Sequence, residues 1–566
     1  MSDVAMRHRL DSAAVAWLWV AALAVAVTIF VNARMAFPLG FSDEFTYAAL
    51  SARFGRESTL ANNPLVVTLD APNRVFLAVY GLLGAQPRPV FEMARVLNTF
   101  LLALGIGVLF IAARAGRALA ASLVVAIAYG LGPQSSYTAY FTPETMYAVL
   151  FFLQTVLAAL ALGRADARLG LLAGACAAVL ALVKPHGLPV GAMTFAFIVV
   201  HALLQGRSGA RLPWGVAIGY AVALIAVRWI LGRVLAPDVV TGNALTGSFY
   251  SNITADMASS LVDPGNYAAF GRLLIAHLAV AACLAGPALV AGLAQIPGRV
   301  RAESDAARFA AALAGLTAWL MVGLMVMTAV FTVALEETSR LHLRYYGFAI
   351  PLLFVGLAAL EGAGLWSRRQ QVLGLVAWVL GIALCELFVA AYMRSPFDAA
   401  EFFFRPWVMP GVPLAGAAIA LFAYRRGSRA LLGAVLGAYL VMSLLAMVFD
   451  RQFQLRAPEA AEHRAARVAV ALADHANVPM VIVAPQEDRS GLPYVYRIAS
   501  LGTHRADFLG LEAGRPPRQL AAGTVVIGTR DALAAIGVVP TVRIEPFGVG
   551  TIGQGADTAP AAPQMR

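Results

Sequence analysis

Apolar runs long enough to cross a bilayer recur along most of this chain, and no other feature restricts its fold so strongly. They lie near 13–32, 93–113, 117–133, 143–162, 168–184, 188–205, 214–232, 271–296, 309–334, 346–365, 371–392, 407–424 and 429–449. Some 60% of the 566 residues are hydrophobic and 13% charged, with a mean hydropathy of +0.75. A soluble chain of this length needs far less apolar surface. The reading is a polytopic α-helical membrane protein of about 13 transmembrane helices.

Loop charge orients the runs. With the N-terminus inside, the short inside loops carry Arg114 and Arg117, Arg164 and Arg168, Arg207 and Arg211, Arg299, Arg301 and Arg308, Arg368 and Arg369, and Arg425, Arg426 and Arg429. Each is basic, as the positive-inside rule asks. An odd helix count then leaves the C-terminus outside. The net charge of +11 is spread over these loops, which argues against a nucleic-acid face. Arg7-His8-Arg9 before the first run resembles a signal sequence, but no clear cleavage site follows, so the run is read as an uncleaved first helix. Cys176, Cys283 and Cys385 each fall inside apolar runs, with no disulfide or metal-ligand spacing.

Three outside segments exceed plain turns. In 33–92, the stretches Glu44 to Phe54 and Pro72 to Leu83 are amphipathic and fit interfacial helices. The second segment is 233–270. The third is the tail, where helix-like Pro458 to Ala476 precedes strand-like 479–483. Strand-like 523–528, helical 531–536 and strand-like 541–544 follow. The division expected is a membrane domain over 1–450, a small outside α/β domain over 451–553 and a disordered 554–566. Gln486-Glu487-Asp488-Arg489 follows a strand end, where such folds often bind ligands; a solvated loop is the plainer reading.

The outside polar residues are the candidate chemistry. Asp43 and Glu44 open the first loop in Ser42-Asp43-Glu44-Phe45-Thr46-Tyr47. Glu144, in Thr142-Pro143-Glu144-Thr145, suits either a site or the first turn of a helix. Lys184, the single lysine, sits in Lys184-Pro185-His186-Gly187. It can snorkel at a turn or contact a phosphate. Arg340, His342, Arg344 and Tyr345 lie together just before a run. If helical, Arg340 and Arg344 share a face and His342 lies off it. Carboxylates that accept a proton, beside cations that hold a phosphate, suit group transfer from a lipid phosphate. Asp43 or Glu44 would then be the base, and Arg344, His342, Lys184 or Arg74 would hold the phosphate.

In order and sidedness these motifs resemble the GT-C glycosyltransferases that use polyprenyl-phosphate sugars, in particular the bacterial aminoarabinose transferase and protein mannosyltransferase-like branch. The resemblance rests on Ser42 to Tyr47, on Glu92-Met93-Ala94-Arg95-Val96-Leu97-Asn98, on Thr142-Pro143-Glu144-Thr145 and on Arg344-Tyr345-Tyr346. It implies an inverting glycosyltransferase of a bacterial inner membrane with its C-terminal domain in the periplasm. Asp43 would be the catalytic acid, with Glu44 the competing choice. Tyr47, Arg74, Glu144, Lys184, His186, Arg340, His342, Arg344 and Tyr345 would line the substrate. The donor would be a polyprenyl-phosphate sugar and the acceptor a glycan, lipid or protein. No cofactor is required, although Asp43, Glu44, Glu144 and His342 could assemble a Mg²⁺ or Mn²⁺ site. A lipid-sugar flippase and a glycan polymerase or ligase are the rival readings. A flippase would set its polar groups near the bilayer midplane.

Overall fold

The computed structural model describes residues 3–35, 42–57, 73–84, 87–206, 214–235, 257–296, 304–335, 338, 340–389, 392, 398, 400, 411–456, 461–485, 506–511 and 519–553. Helices come first: α1 (Asp3–Asn32), α2 (Ser42–Glu57), α3 (Arg74–Gly81), α4 (Pro87–Ala115) and α5 (Leu119–Leu131). A buried 3-10 stretch, Pro133–Ala139, leads to α6 (Glu144–Arg164), α7 (Ala167–Val183), α8 (Gly187–Gly206) and α9 (Trp214–Leu235). Then come α10 (Tyr267–Leu293), α11 (Asp305–Leu335), α12 (Ile350–Gly362), α13 (Arg368–Leu384), α14 (Gly411–Tyr424) and α15 (Ser428–Arg456).

Among the described residues each apolar run contains a helix. Ten helices there have the length and composition to cross a bilayer, and the three shorter apolar ones are Ala167–Val183, Gly347–Gly362 and Gly411–Tyr424. The protein is a multi-pass membrane protein. The amphipathic stretches of the first loop are also helical, as α2 and α3.

Small residues let the helices approach. Gly170 and Gly174 lie four apart on α7, where an added Cβ would meet the Val216 carbonyl at 2.8 Å and would collide with the Tyr220 carbonyl. This is the small-xxx-small contact of membrane helices. The contact of α10 with α13 has a further device. Pro287 lies inside α10 and Ala285 leaves helical geometry (φ −145°). Proline has no N–H to give the carbonyl four residues back, which is Cys283. Trp378 of α13 donates its indole N–H to that carbonyl at 2.8 Å, so the kink costs no orphan acceptor.

Beyond α15 lie α16 (Ala461–Ala476), β1 (Met480–Pro485), β2 (Ala506–Leu511), β3 (Val525–Thr529), α17 (Arg530–Ala535), β4 (Val542–Ile544) and β5 (Phe547–Thr551). The sheet order is β2-β1-β3-β5-β4. β1 pairs in parallel with β2 and β3, and β5 is antiparallel to β3 and β4. Side chains alternate as the strand period requires. Met480, Ile482, Val525, Ile527 and Val549 pack with Ala465, Ala469 and Ala473 of α16. Val481, Val483 and Val526 pack with Ala532 and Leu533 of α17. Strands β2 and β5 were not anticipated from the sequence. Gln486 to Arg489 lie outside the described residues.

Candidate active site

The site is assembled where three chain reversals meet. Pro143 precedes α6 and puts Glu144 in its first turn. Between α7 and α8 the chain turns at Lys184, held by Gly187 N–H to the Lys184 carbonyl (2.9 Å). Here Lys184 Nζ lies 2.7 Å from Glu144 Oε1, with both side chains buried. The lysine thus does not snorkel outward, and the glutamate does more than start a helix.

The third reversal is the stretch after α11. Leu343–Tyr345 is a single 3-10 turn and not an α-helix, so the expectation of Arg340 and Arg344 on one face with His342 off it is corrected. All three converge on a residue that the sequence reading missed, Asp398. Arg340 Nη2 pairs with Asp398 Oδ2. His342 Nδ1 and Arg344 Nε lie 3.3 and 3.4 Å from Asp398 Oδ1. The Arg344 N–H also donates to the Asp398 backbone carbonyl at 2.9 Å. The buried carboxylate is hydrogen-bonded by Arg340 and His342 and forms an ion pair with Arg344.

Tyr345 joins the two groups. Its hydroxyl accepts from Arg344 Nη2 at 3.0 Å, and its ring lies 4.8 Å from Lys184 Nζ. His186 stacks on the same ring at 4.5 Å and 17°. Burial, then Lys184 and Arg344, hold the His186 imidazole well below its ordinary pKa. It is therefore neutral at pH 7, and its Nδ1 is buried without a hydrogen-bond partner among the described residues. Burial works against the Arg344 charge, but Tyr345, Asp398 and Glu144 outweigh it and raise its pKa. Lys184 and Arg344 thus both lie against Tyr345, each already beside a carboxylate. Paired cations held out of water in this way suit an anion that can share them.

Of the first-loop carboxylates, Glu44 is tied to this group through the backbone. Glu44 is wholly buried and its Oε1 accepts from the Phe141 N–H at 2.8 Å, three residues before Glu144. Asp43 occupies the first turn of α2; its side chain lies outside the described residues. Arg74 donates to the Gly232 carbonyl at 3.0 Å. Tyr47 packs edge-on to Phe76 at 5.3 Å, and Phe76 in turn meets Phe141. Among the described residues no three His, Cys, Asp or Glu side chains form a metal-binding group.

No protein-family model matches the chain, and no curated protein matches it. Among solved structures, ArnT from Cupriavidus metallidurans, bound to undecaprenyl phosphate, superposes with a TM-score of 0.50 at 15% identity. The match covers 94% of this chain and 97% of that one. The chain shares the fold of that protein. In this bundle the Lys184–Glu144 pair, Arg344, Tyr345 and Asp398 all come from helix starts or reversals, and none from the middle of a long helix.

Proposed function

We propose that the protein is an inverting glycosyltransferase that moves a sugar from a polyprenyl-phosphate donor to an acceptor hydroxyl on the periplasmic face of a bacterial inner membrane. The observation that carries the reading is the convergence of Lys184, Arg344 and His186 around Tyr345, at one end of an apolar helical bundle. That ArnT, with a similar fold, binds undecaprenyl phosphate supports a lipid monophosphate as the anion.

In the proposed reaction the prenyl tail lies in lipid and the phosphate between Lys184 and Arg344, with the His186 N–H as a further donor. The acceptor hydroxyl gives its proton to the Asp43 carboxylate. Its oxygen attacks the anomeric carbon from the face opposite the phosphate, and the bond from that carbon to the phosphate oxygen breaks. The electron pair leaves with the polyprenyl phosphate, whose growing charge the cations stabilise. A monophosphate leaving group can be held by these side chains without a metal. The N-terminus is cytoplasmic in this arrangement and the sheet-containing tail periplasmic.

The test is mass spectrometry of envelope glycans and lipids from a deletion strain. One sugar substituent should be missing, restored by the wild-type gene and not by Asp43→Asn. An unchanged envelope composition would refute the reading.

A further inference from the structure

The chain leaves α5 at Leu131 and runs as a buried, non-α stretch to Phe141. Away from water, such a stretch must find donors for every carbonyl that an α-helix would have satisfied internally. Here side chains supply them. Ser135, Ser136 and Thr138 donate their hydroxyls to the Gly132, Pro133 and Ser135 carbonyls. From α4, Arg95 Nε donates to the Ala139 carbonyl at 3.0 Å and Asn98 Nδ2 to that of Tyr140 at 3.0 Å.

The rest come from the far end of the bundle. Arg451, near the end of α15, donates Nη2 to the Ser135 carbonyl at 2.7 Å. Its Nη1 donates to Asn32 Oδ1 at 3.1 Å and Gln454 Oε1 at 3.0 Å. Gln454 in turn donates to the Ser136 carbonyl at 3.3 Å. Asn32 ends α1, just before the loop to α2, and donates Nδ2 to Thr138 Oγ1 at 3.0 Å. One guanidinium therefore ties the last long helix to the end of α1 and to the buried stretch.

That stretch spans the two halves of the candidate site. Its end, Phe141, holds Glu44, next to Asp43, and three residues on Glu144 holds Lys184. We propose that Arg451 is a positioning residue: its fork fixes the 133–141 stretch against α1 and so sets the place of the α2 start, with Asp43, relative to the Lys184–Arg344 cations. This rests on the function proposed above. Lysine carries the charge but is a point donor, and cannot reproduce a planar fork.

The test uses the full-length protein in proteoliposomes with a polyprenyl-phosphate sugar as donor. Arg451→Met should lower kcat about thirtyfold, in keeping with the cost of small misplacements, while the donor KM stays within about twofold. Arg451→Lys should fall nearly as far. Gln454→Ala, which loses one link, should lower kcat about threefold and gives the answer if Arg451→Met fails to fold. Lys184→Met should instead raise the donor KM. A normal kcat in both Arg451→Met and Gln454→Ala, recovery by Arg451→Lys, or a rise in donor KM like that of Lys184→Met would overturn the positioning role alone. Unchanged kinetics in both Asp43→Asn and Lys184→Met would overturn the site reading and this inference with it.

Discussion

Lys184 and Glu144, forty residues apart in the chain, form a 2.7 Å ion pair with about a tenth of each side chain exposed. Breaking such a pair from one side strands the other charge, at a cost of about 3–5 kcal/mol, whereas removing both costs less. Lys184→Met should therefore destabilise the protein more than Lys184→Met with Glu144→Leu. Thermal unfolding in one detergent checks the order. The double variant should still lack donor binding, which separates stability from function.

Asp43→Asn should reduce transfer by about two to four orders of magnitude, the usual contribution of a positioned base. Glu44→Gln keeps an acceptor for the Phe141 N–H and should stay within about tenfold of wild type. Initial rates at saturating donor distinguish them. The reverse order would make Glu44 the base.

Asp398→Ala releases Arg340, His342 and Arg344 together. Donor KM should rise about tenfold, roughly the worth of one charge-assisted hydrogen bond. Arg340→Ala, at the exposed edge of the group, should shift it much less. A titration of rate against donor concentration reads both.

His186 gives a signed pH dependence. Its folded-state pKa is depressed well below 6.5 by burial and by Lys184 and Arg344. Above pH 6.5 both folded and unfolded chains keep it neutral. As pH falls below 6.5 the unfolded chain takes a proton that the folded chain refuses. Stability is thus lost toward acid, at up to about 1.4 kcal/mol per pH unit. His186→Phe keeps a ring against Tyr345 and should flatten that part of the loss. Unfolding midpoints measured from pH 7.5 to 5 make the comparison.

The kink in α10 can be tested by a double-mutant cycle. Trp378→Phe leaves the Cys283 carbonyl without its donor and should cost about 1–2 kcal/mol. In a Pro287→Ala background the restored N–H can serve that carbonyl, so the same change should cost less. Equal losses in both backgrounds would break the link.

Hydropathy and arginine spacing made the bundle legible, because span length and apolar content are local properties of the chain. Glu144, Lys184 and Arg344 could be named from their places at the ends of runs. Their partners could not. Asp398 is one acid in an aromatic stretch of sequence, and nothing local says that it meets Arg340, His342 and Arg344, 54 to 58 residues earlier. The shared face of Arg340 and Arg344 depended on a helix, and the chain makes a single 3-10 turn there instead. Arg95, Asn98 and Arg451 were similarly obscure. Their targets are backbone carbonyls, which every residue carries alike, so only the failure of α5 to continue past Leu131 explains them.

The hydrogen bond from Trp378 to Cys283 joins residues 95 positions apart, and this bears on how the protein is made. When α10 leaves the ribosome, its acceptor at Cys283 has no proper mate until α13 has also been synthesised. During that interval the segment must stay near water, or beside the insertion machinery, since lipid offers nothing in exchange. Biogenesis of this half of the bundle is therefore expected to proceed by delayed, joint burial of two segments rather than by one helix settling after another.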